Sequence, residues 1–353
     1  MIVTGSSGFV ARHFLDLLVQ NGYGVAPVKA RFHSGTAFFW TRDSESGQWV
    51  ERPNRCFPSD GVWVHLGALR GERPLPFKTY LDANVRLTRE LLKLAARFRA
   101  RKFILVSSVG VQGWPKISPI SETVPPAPGG YYHVSKLLAE RCALEASRQG
   151  LPVTIVRPAL TYGPRERNGL IPKLIRMASR PVCFCAGNGK NRLHLIEVSD
   201  LADGLLKACL LGKTSGRIYT LAGPRPCTLQ ELLDHVRKNL GMASGCVPVP
   251  KNLLLTLACL GEARFRMSRS WCRSIPGEGY LPTFQQVRLL TRDRWYDIHR
   301  ARSELGFSPH MTPELGIDRL LNWMQEDGRV EVGGSNQTVK SDIRKGREGV
   351  LAD

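Results

Sequence analysis

Tyr132 and Lys136 stand four residues apart in PGGYYHVSK, so a helix through them carries a phenol and an amine on one side, one turn apart. Alone, that spacing fits a packed ring beside a solvated amine as well as it fits acid–base chemistry. Two other stretches add weight to the chemistry. Ser107 and Ser108 end the apolar run KFILV, and open α/β sheets bind ligands at the carboxyl ends of their strands. The opening MIVTGSSGFVARHF sets Gly5, Ser7 and Gly8 between a short apolar run and a helix-like segment begun by Phe9 and Val10. Such a small-residue turn lets bare backbone N–H groups approach a phosphate. Ala11 takes the place of a third glycine, where helix packs on strand and a methyl group can be accommodated.

Positioning those residues requires strands that end, and helices that begin, where they stand. Tyr23 to Val28, Gly61 to Gly67, Lys102 to Ser108 and Pro152 to Pro158 are apolar runs of strand length. Asn84 to Phe98 and His133 to Gly150 carry helical spacing between them, the second ending at a glycine. Strand and helix in alternation imply βαβ units with right-handed crossovers, hence an α/β fold with a doubly wound parallel sheet. After about Gly163 proline and glycine increase and a smaller carboxyl-terminal lobe is expected, with Arg217 to Gly223 returning to the sheet as a strand. In TLQELLDHVRKNL, Thr228 with Glu231 three residues on forms a capping box. The expected limits are 1–165 for the dinucleotide-binding unit with a returning segment at about 195–223. The lobe takes 166–194 and 224–327, and 328–353 is a polar, aperiodic tail expected to be disordered.

Among 353 residues, 42% hydrophobic and 23% charged suit a soluble globular chain, and no apolar run reaches the length of a membrane span. The amino terminus carries no charged-then-apolar leader, so the cytoplasm is the expected compartment. Nine scattered cysteines without C-x-x-C units, and eight histidines without metal spacing, give no reason to expect a metal. Cys183 and Cys185 alternate, as two residues on one strand face would, and are expected to be structural. The net charge of +20 is dispersed, without basic runs or interleaved aromatics, which argues against nucleic acid and leaves anionic small molecules or a membrane surface.

Taken in order, T-G-x-x-G-F (Thr4 to Phe9), Ser108, Y-x-x-x-K (Tyr132 to Lys136) and R-P-x-x-x-Y-G-P-R (Arg157 to Arg165) resemble the extended short-chain dehydrogenase/reductase superfamily, the NAD(P)-dependent epimerase/dehydratase group. EVSDLADG and DIHRARSELGFSP resemble its later motifs, and the likeness spans about residues 1 to 326. The resemblance implies a Rossmann-like fold, a homodimer, and catalysis by Ser108, Tyr132 and Lys136. A free phenol has a pKa of about 10 and is a poor base near neutrality, so the lysine would stabilise its anion and hold the nicotinamide ribose. Tyr132 would exchange a proton with the substrate oxygen, Ser108 would orient that oxygen, and the cofactor would exchange hydride. Cofactor contacts implied by the resemblance fall on Gly5, Ser7, Gly8, Phe9, Val10, Leu66, Gly67, Ala68, Asn84, Ser107, Tyr132, Lys136 and Pro158.

Past the second strand, an acid would suit the ribose of NAD and basic residues the extra phosphate of NADP. Lys29 and Arg31 stand there, so NADP is favoured over NAD. Val109 and Gly110 after Ser108 withhold the acid that a nucleotide-sugar dehydratase needs. The first reading is a nucleotide-sugar 4-epimerase or ketoreductase, with Val109, Arg165, Asn168 and Arg192 toward the substrate. The second is a reductase of a hydrophobic ketone, for which Pro250 to Trp271 could line a greasy pocket. The third is a non-catalytic NAD(P)-binding protein, against which the joint presence of Ser108, Tyr132 and Lys136 counts.

Overall fold

The computed structural model describes residues 1–33, 36–42, 49–51, 57–70, 75–211, 215–268 and 284–330. The tail from 331 and the end of the Pro250 to Trp271 stretch lie outside the described residues. Short runs rich in β-branched and aromatic residues suit strands, and those without polar interruption suit strands covered on both faces. They form β1 (Ile2–Thr4), β2 (Ala26–His33), β3 (Thr36–Arg42), β4 (Trp49–Glu51), β5 (Val62–His65), β6 (Lys102–Val106) and β7 (Val153–Pro158). Short strands follow: β8 (Leu160–Tyr162), β9 (Phe184–Ala186), β10 (Arg192–Leu193), β11 (Leu195–Glu197), β12 (Arg217–Leu221), β13 (Cys227–Thr228) and β14 (Val247–Val249).

Eight of these make one sheet in the order β12–β7–β6–β5–β1–β2–β3–β4. From β12 to β2 every pairing is parallel. Beyond β2 the sheet departs from the all-parallel expectation, because β3 and β4 run antiparallel. The cause is the chain between them: β2 runs past its last pairing with β1 at Val28, and two residues separate it from β3. A parallel return needs a dozen or more residues, so only an antiparallel neighbour can form.

Helix α1 (Phe9–Gln20) and α6 (Val198–Leu210) cover one face, packing Phe14, Leu18, Leu201 and Leu205 on Val3, Val64 and Ile104. On the other face α2 (Phe77–Tyr80) runs through a π-helical stretch, Leu81–Arg86, into α3 (Leu87–Arg97), beside α4 (Tyr131–Arg148). There Leu91, Ala95, Ala139 and Ala143 meet Ile2, Trp63, Phe103 and Leu105. Neighbouring residues of β6 thus feed opposite cores, as the two-residue period of a strand requires. Each large side chain so buried contributes about 1.5–3 kcal/mol.

A third core joins α5 (Leu170–Ala178), α7 (Leu229–Asn239) and α11 (Pro313–Glu326) through Ile175, Leu233, Leu320 and Met324. Both halves of the Thr228–Glu231 capping box are formed. Helices α8 (Lys251–Ser268), α9 (Phe284–Leu290) and α10 (His299–Leu305) complete the described elements. Cys183 forms a disulfide with Cys246 while Cys185 stays a buried thiol, a pairing that spacing does not announce because 63 residues separate the partners.

Candidate active site

The carboxyl ends of β1, β5, β6 and β7 carry the glycine turn, the Gly67 loop, Ser107 with Ser108, and Pro158. β1 ends at Thr4, and Gly5 follows with φ +76°, the left-handed region that favours glycine. A Cβ there would collide with the backbone of Gly67 and with the carbonyl carbon of Leu66, so two bare chains touch at this point. Gly8 caps α1 without a side-chain acceptor, its N–H bonded to Gly5 O at 2.9 Å. Ser7 and Gly8 are exposed, Phe9 and Val10 half-buried, and Ala11 is buried against the sheet. An open helix start beside a glycine floor fits a dinucleotide pyrophosphate, which Gly5, Ser7 and Gly8 would hold.

Ser108 follows β6 in extended conformation and opens a short turn, Val109–Gln112, by accepting Gly110 N–H at 3.1 Å. Gly130, at φ +87°, starts α4, so Tyr131, Tyr132 and Lys136 all lie in it; the helix begins two residues earlier than His133. Tyr131 is exposed against Phe77, whereas Tyr132 is half-buried beside the His133 ring. The His133 ring in turn fills the space that a methyl on Gly110 would need. That contact seats the first turn of α4 on the Ser108 turn. Lys136, 3% exposed, donates from Nζ to Val106 O at 2.6 Å, two residues before Ser108. Burial lowers its pKa to about 8, opposed by the nearby Glu140 carboxylate.

Asn84 ties the surrounding loops together. Its Oδ1 accepts Leu69 N–H at 2.7 Å, and its Nδ2 donates to Leu69 O at 3.1 Å and to Ser135 Oγ at 2.9 Å. Ser135 Oγ–H donates to Tyr132 O, so one buried amide links the Gly67 loop to the tyrosine helix. Below it His65 bridges Thr4 Oγ1 at 2.7 Å and Thr88 Oγ1 at 3.0 Å. Thr88 gives its own proton to Asn84 O, so His65 Nε2–H donates to Thr88 and Nδ1 accepts from Thr4. Complete burial pushes the His65 pKa down to about 3 and keeps the ring neutral.

Leu66, Gly67 and Ala68 line the end of β5 half-buried, and Ser107 is buried with its N–H on Val156 O. Pro158 ends β7. Lys29 and Arg31 belong to β2 where it has left β1, in register with Trp40 and Phe38 of β3. Of the four substrate candidates, Val109 and Arg192 share a partner in Arg294, through Arg294 Nη2 to Val109 O at 2.8 Å and Arg294 N–H to Arg192 O at 2.9 Å. Val109 is buried in the core, Asn168 is exposed, Arg165 pairs with Asp16 of α1 at 2.8 Å, and Arg192 pairs with Asp293 at 3.0 Å.

The model of the NAD dependent epimerase/dehydratase family matches residues 1–222. The chain belongs to that family. This epimerase/dehydratase chain is 25% identical to the decarboxylating sterol-4-alpha-carboxylate 3-dehydrogenase of Candida albicans, over 93% of the chain and 98% of that protein. Among solved structures, it resembles the UDP-glucuronic acid 4-epimerase of Bacillus cereus in complex with NAD. The TM-score is 0.68 at 19% identity, covering 92% of this chain and 98% of that one. RMD from Pseudomonas aeruginosa, complexed with NADPH, gives 0.66 at 20% identity, covering 92% and 99%. The family is one of NAD(P)-dependent oxidoreductases with a Rossmann-like sheet, and this member has that architecture.

Two residues at the site of this epimerase/dehydratase chain escaped the motifs. Gln285 of α9 donates to Gly129 O at 2.8 Å, bringing α9 against the start of α4. Arg294 donates from Nη2 to Val109 O at 2.8 Å, holding the Ser108 turn from the other side. Both are more than 150 residues from their partners along the chain, so no local spacing signals either contact.

Proposed function

We propose that this chain is a dehydrogenase or reductase that uses NAD(P), with NADP preferred, and interconverts a secondary alcohol and a ketone on a bulky hydrophobic molecule. The observation that carries the redox chemistry is Lys136, buried and fixed to the end of β6, one helical turn from Tyr132 and two residues' reach from Ser108. In reduction, Ser108 Oγ–H donates to the substrate carbonyl and fixes it. Tyr132 delivers a proton to that oxygen, and the Lys136 ammonium stabilises the phenolate left behind. A bound nicotinamide supplies or accepts the hydride. Oxidation reverses the proton's path. Lys29 and Arg31 would meet the extra phosphate of NADP.

The hydrophobic class is supported by apolar surface on the helix packed beside α9. α9 abuts the start of α4 through Gln285, and α8, packed beside α9, leaves Leu253 and Leu260 exposed. Arg165 and Arg192, the cations a diphosphate would need, are engaged with Asp16 and Asp293. The Candida albicans relative, named for a sterol carboxylate, agrees with this class. A nucleotide sugar is the second reading, favoured by the exposed Lys173 and half-buried Arg176 on α5.

Nicotinamide fluorescence with NADPH and NADH, followed by turnover of sterol-like ketones against uridine-diphosphate sugars, tests both levels. Tyr132→Phe should keep NADPH binding and lose turnover by about 10²–10⁴-fold, the usual worth of a positioned acid–base group. Unchanged turnover would remove Tyr132 from the reaction, and turnover of the sugars alone would replace the substrate class.

A further inference from the structure

A cleft of about 290 Å³ opens beside the Ser108 turn, between the segment that follows it and the segment after α9. Trp114, Lys116, Arg292 and Arg294 are on its wall. Arg294 is the unusual member. It is 6% exposed, its Cζ lies 4.6 Å from the Trp114 ring centroid and 5.5 Å from that of Tyr296, and Nη2 is spent on Val109 O. Its Nε–H is buried and meets no acceptor. A guanidinium so far withdrawn from water carries a desolvation cost that a neighbouring anion would offset.

The remaining charges on the wall point the same way. Asp293 also lines the cleft, but its carboxylate is taken by Arg192, from the backbone N–H at 2.8 Å, from Nε at 3.3 Å and from Nη2 at 3.0 Å. Arg192 in turn stacks over Trp295 at 5.3 Å. Lys116 and Arg292 are exposed and, among the described residues, form no ion pair. Three cations therefore face one carboxylate that is already neutralised, with an indole forming the apolar side.

The geometry points to an anion subsite beside the Ser108 turn, in which Arg294, Arg292 and Lys116 bind a carboxylate or phosphate group of the substrate while its apolar body lies on Trp114. This rests on the redox reading for the word substrate; the subsite itself is read from the cleft. Because Arg294 also holds Val109, an anion drawn to it would be registered against the oxygen that Ser108 orients.

The test is calorimetric and needs no turnover. The full chain is titrated with 2-naphthoate, with its neutral amide and with 1-naphthyl phosphate at constant ionic strength. Either or both anions should bind at least about ten-fold more tightly than the amide, the scale of a charge-assisted contact. The preference should shrink in the Lys116→Ala/Arg292→Ala double variant, which leaves Arg294 in place and whose exposed positions leave the fold and NADPH binding unchanged. Equal binding of acid, phosphate and amide, no binding of any of them, or a preference undiminished in the double variant overturns the subsite. Failure of the redox reading shows separately, as Tyr132→Phe retaining full turnover.

Discussion

Lys136 does two things that pull against each other. In the proposed reaction it must be charged to steady a phenolate, yet burial beneath the end of β6 favours the neutral amine and brings its pKa from 10.5 to about 8. Between those values the unfolded chain holds a proton that the folded chain has released, so stability rises with pH through that window. Each unit of separation is worth about 1.4 kcal/mol. Lys136→Met should therefore be the more stable protein at pH 7, lead the wild type by up to about 3 kcal/mol, and lose that lead by pH 10. Urea denaturation of both proteins at the two pH values checks this; a lead that does not change with pH would contradict it. In the cofactor-free enzyme the same titration sets an alkaline limb near pH 8 for any step that needs the ammonium.

At the scale of elements, α4 is anchored to β7 by Arg157 and Glu140, each 2% exposed and joined by two bonds of 2.9 and 2.7 Å. One turn beyond Lys136, this pair fixes the height of the tyrosine helix on the sheet. Removing one partner of a buried pair strands the other charge, so Glu140→Gln should cost about 3–5 kcal/mol, and Glu140→Leu with Arg157→Met clearly less than twice that. Thermal melts of the single and double variants measure it, and additive losses would mean that the two side chains act independently. The strand ends, the glycine turn and the tyrosine helix were legible because each is a local pattern: an apolar run, a spacing, a cap. β3 was not, because Phe38, Phe39 and Trp40 are apolar in succession, and only the fold decides that Phe39 turns inward. Ser108, Tyr132 and Lys136, the proposed reacting groups, could be named from spacing and resemblance. Arg294 and Gln285 could not, since their partners are set by how the chain returns after α8. The Arg165–Asp16 pair was hidden for a related reason, as a linear sequence does not reveal that Asp16 lies opposite.

Across the whole molecule three histidines, His65 and His194 buried and His133 half-buried, join separate layers. His65 links β1 to α3, His133 seats α4 on the Ser108 turn, and His194 donates from Nε2 to Gly223 O while its Nδ1 accepts Tyr296 N–H. Burial lowers their pKa values from 6.5 to about 3, about 4 and about 4. Neutral when folded and protonated when unfolded, all three favour the native state above pH 6.5 and withdraw that support as the pH falls toward 4. Urea midpoints should drop on passing from pH 7 to pH 5, and His194→Gln, which keeps a donor and an acceptor, should drop by less. An equal drop in that variant would place the acid sensitivity elsewhere. The contact between Gly5 and Gly67 carries a different lesson, for anyone wishing to redesign the enzyme. Where two backbones already touch there is no slack for a new side chain, and a larger residue must push whole strands apart. The groove floor is thus closed to gradual change, and altered cofactor choice has to be sought along its rim, where β2 runs free of β1 and side chains can be exchanged without moving the sheet.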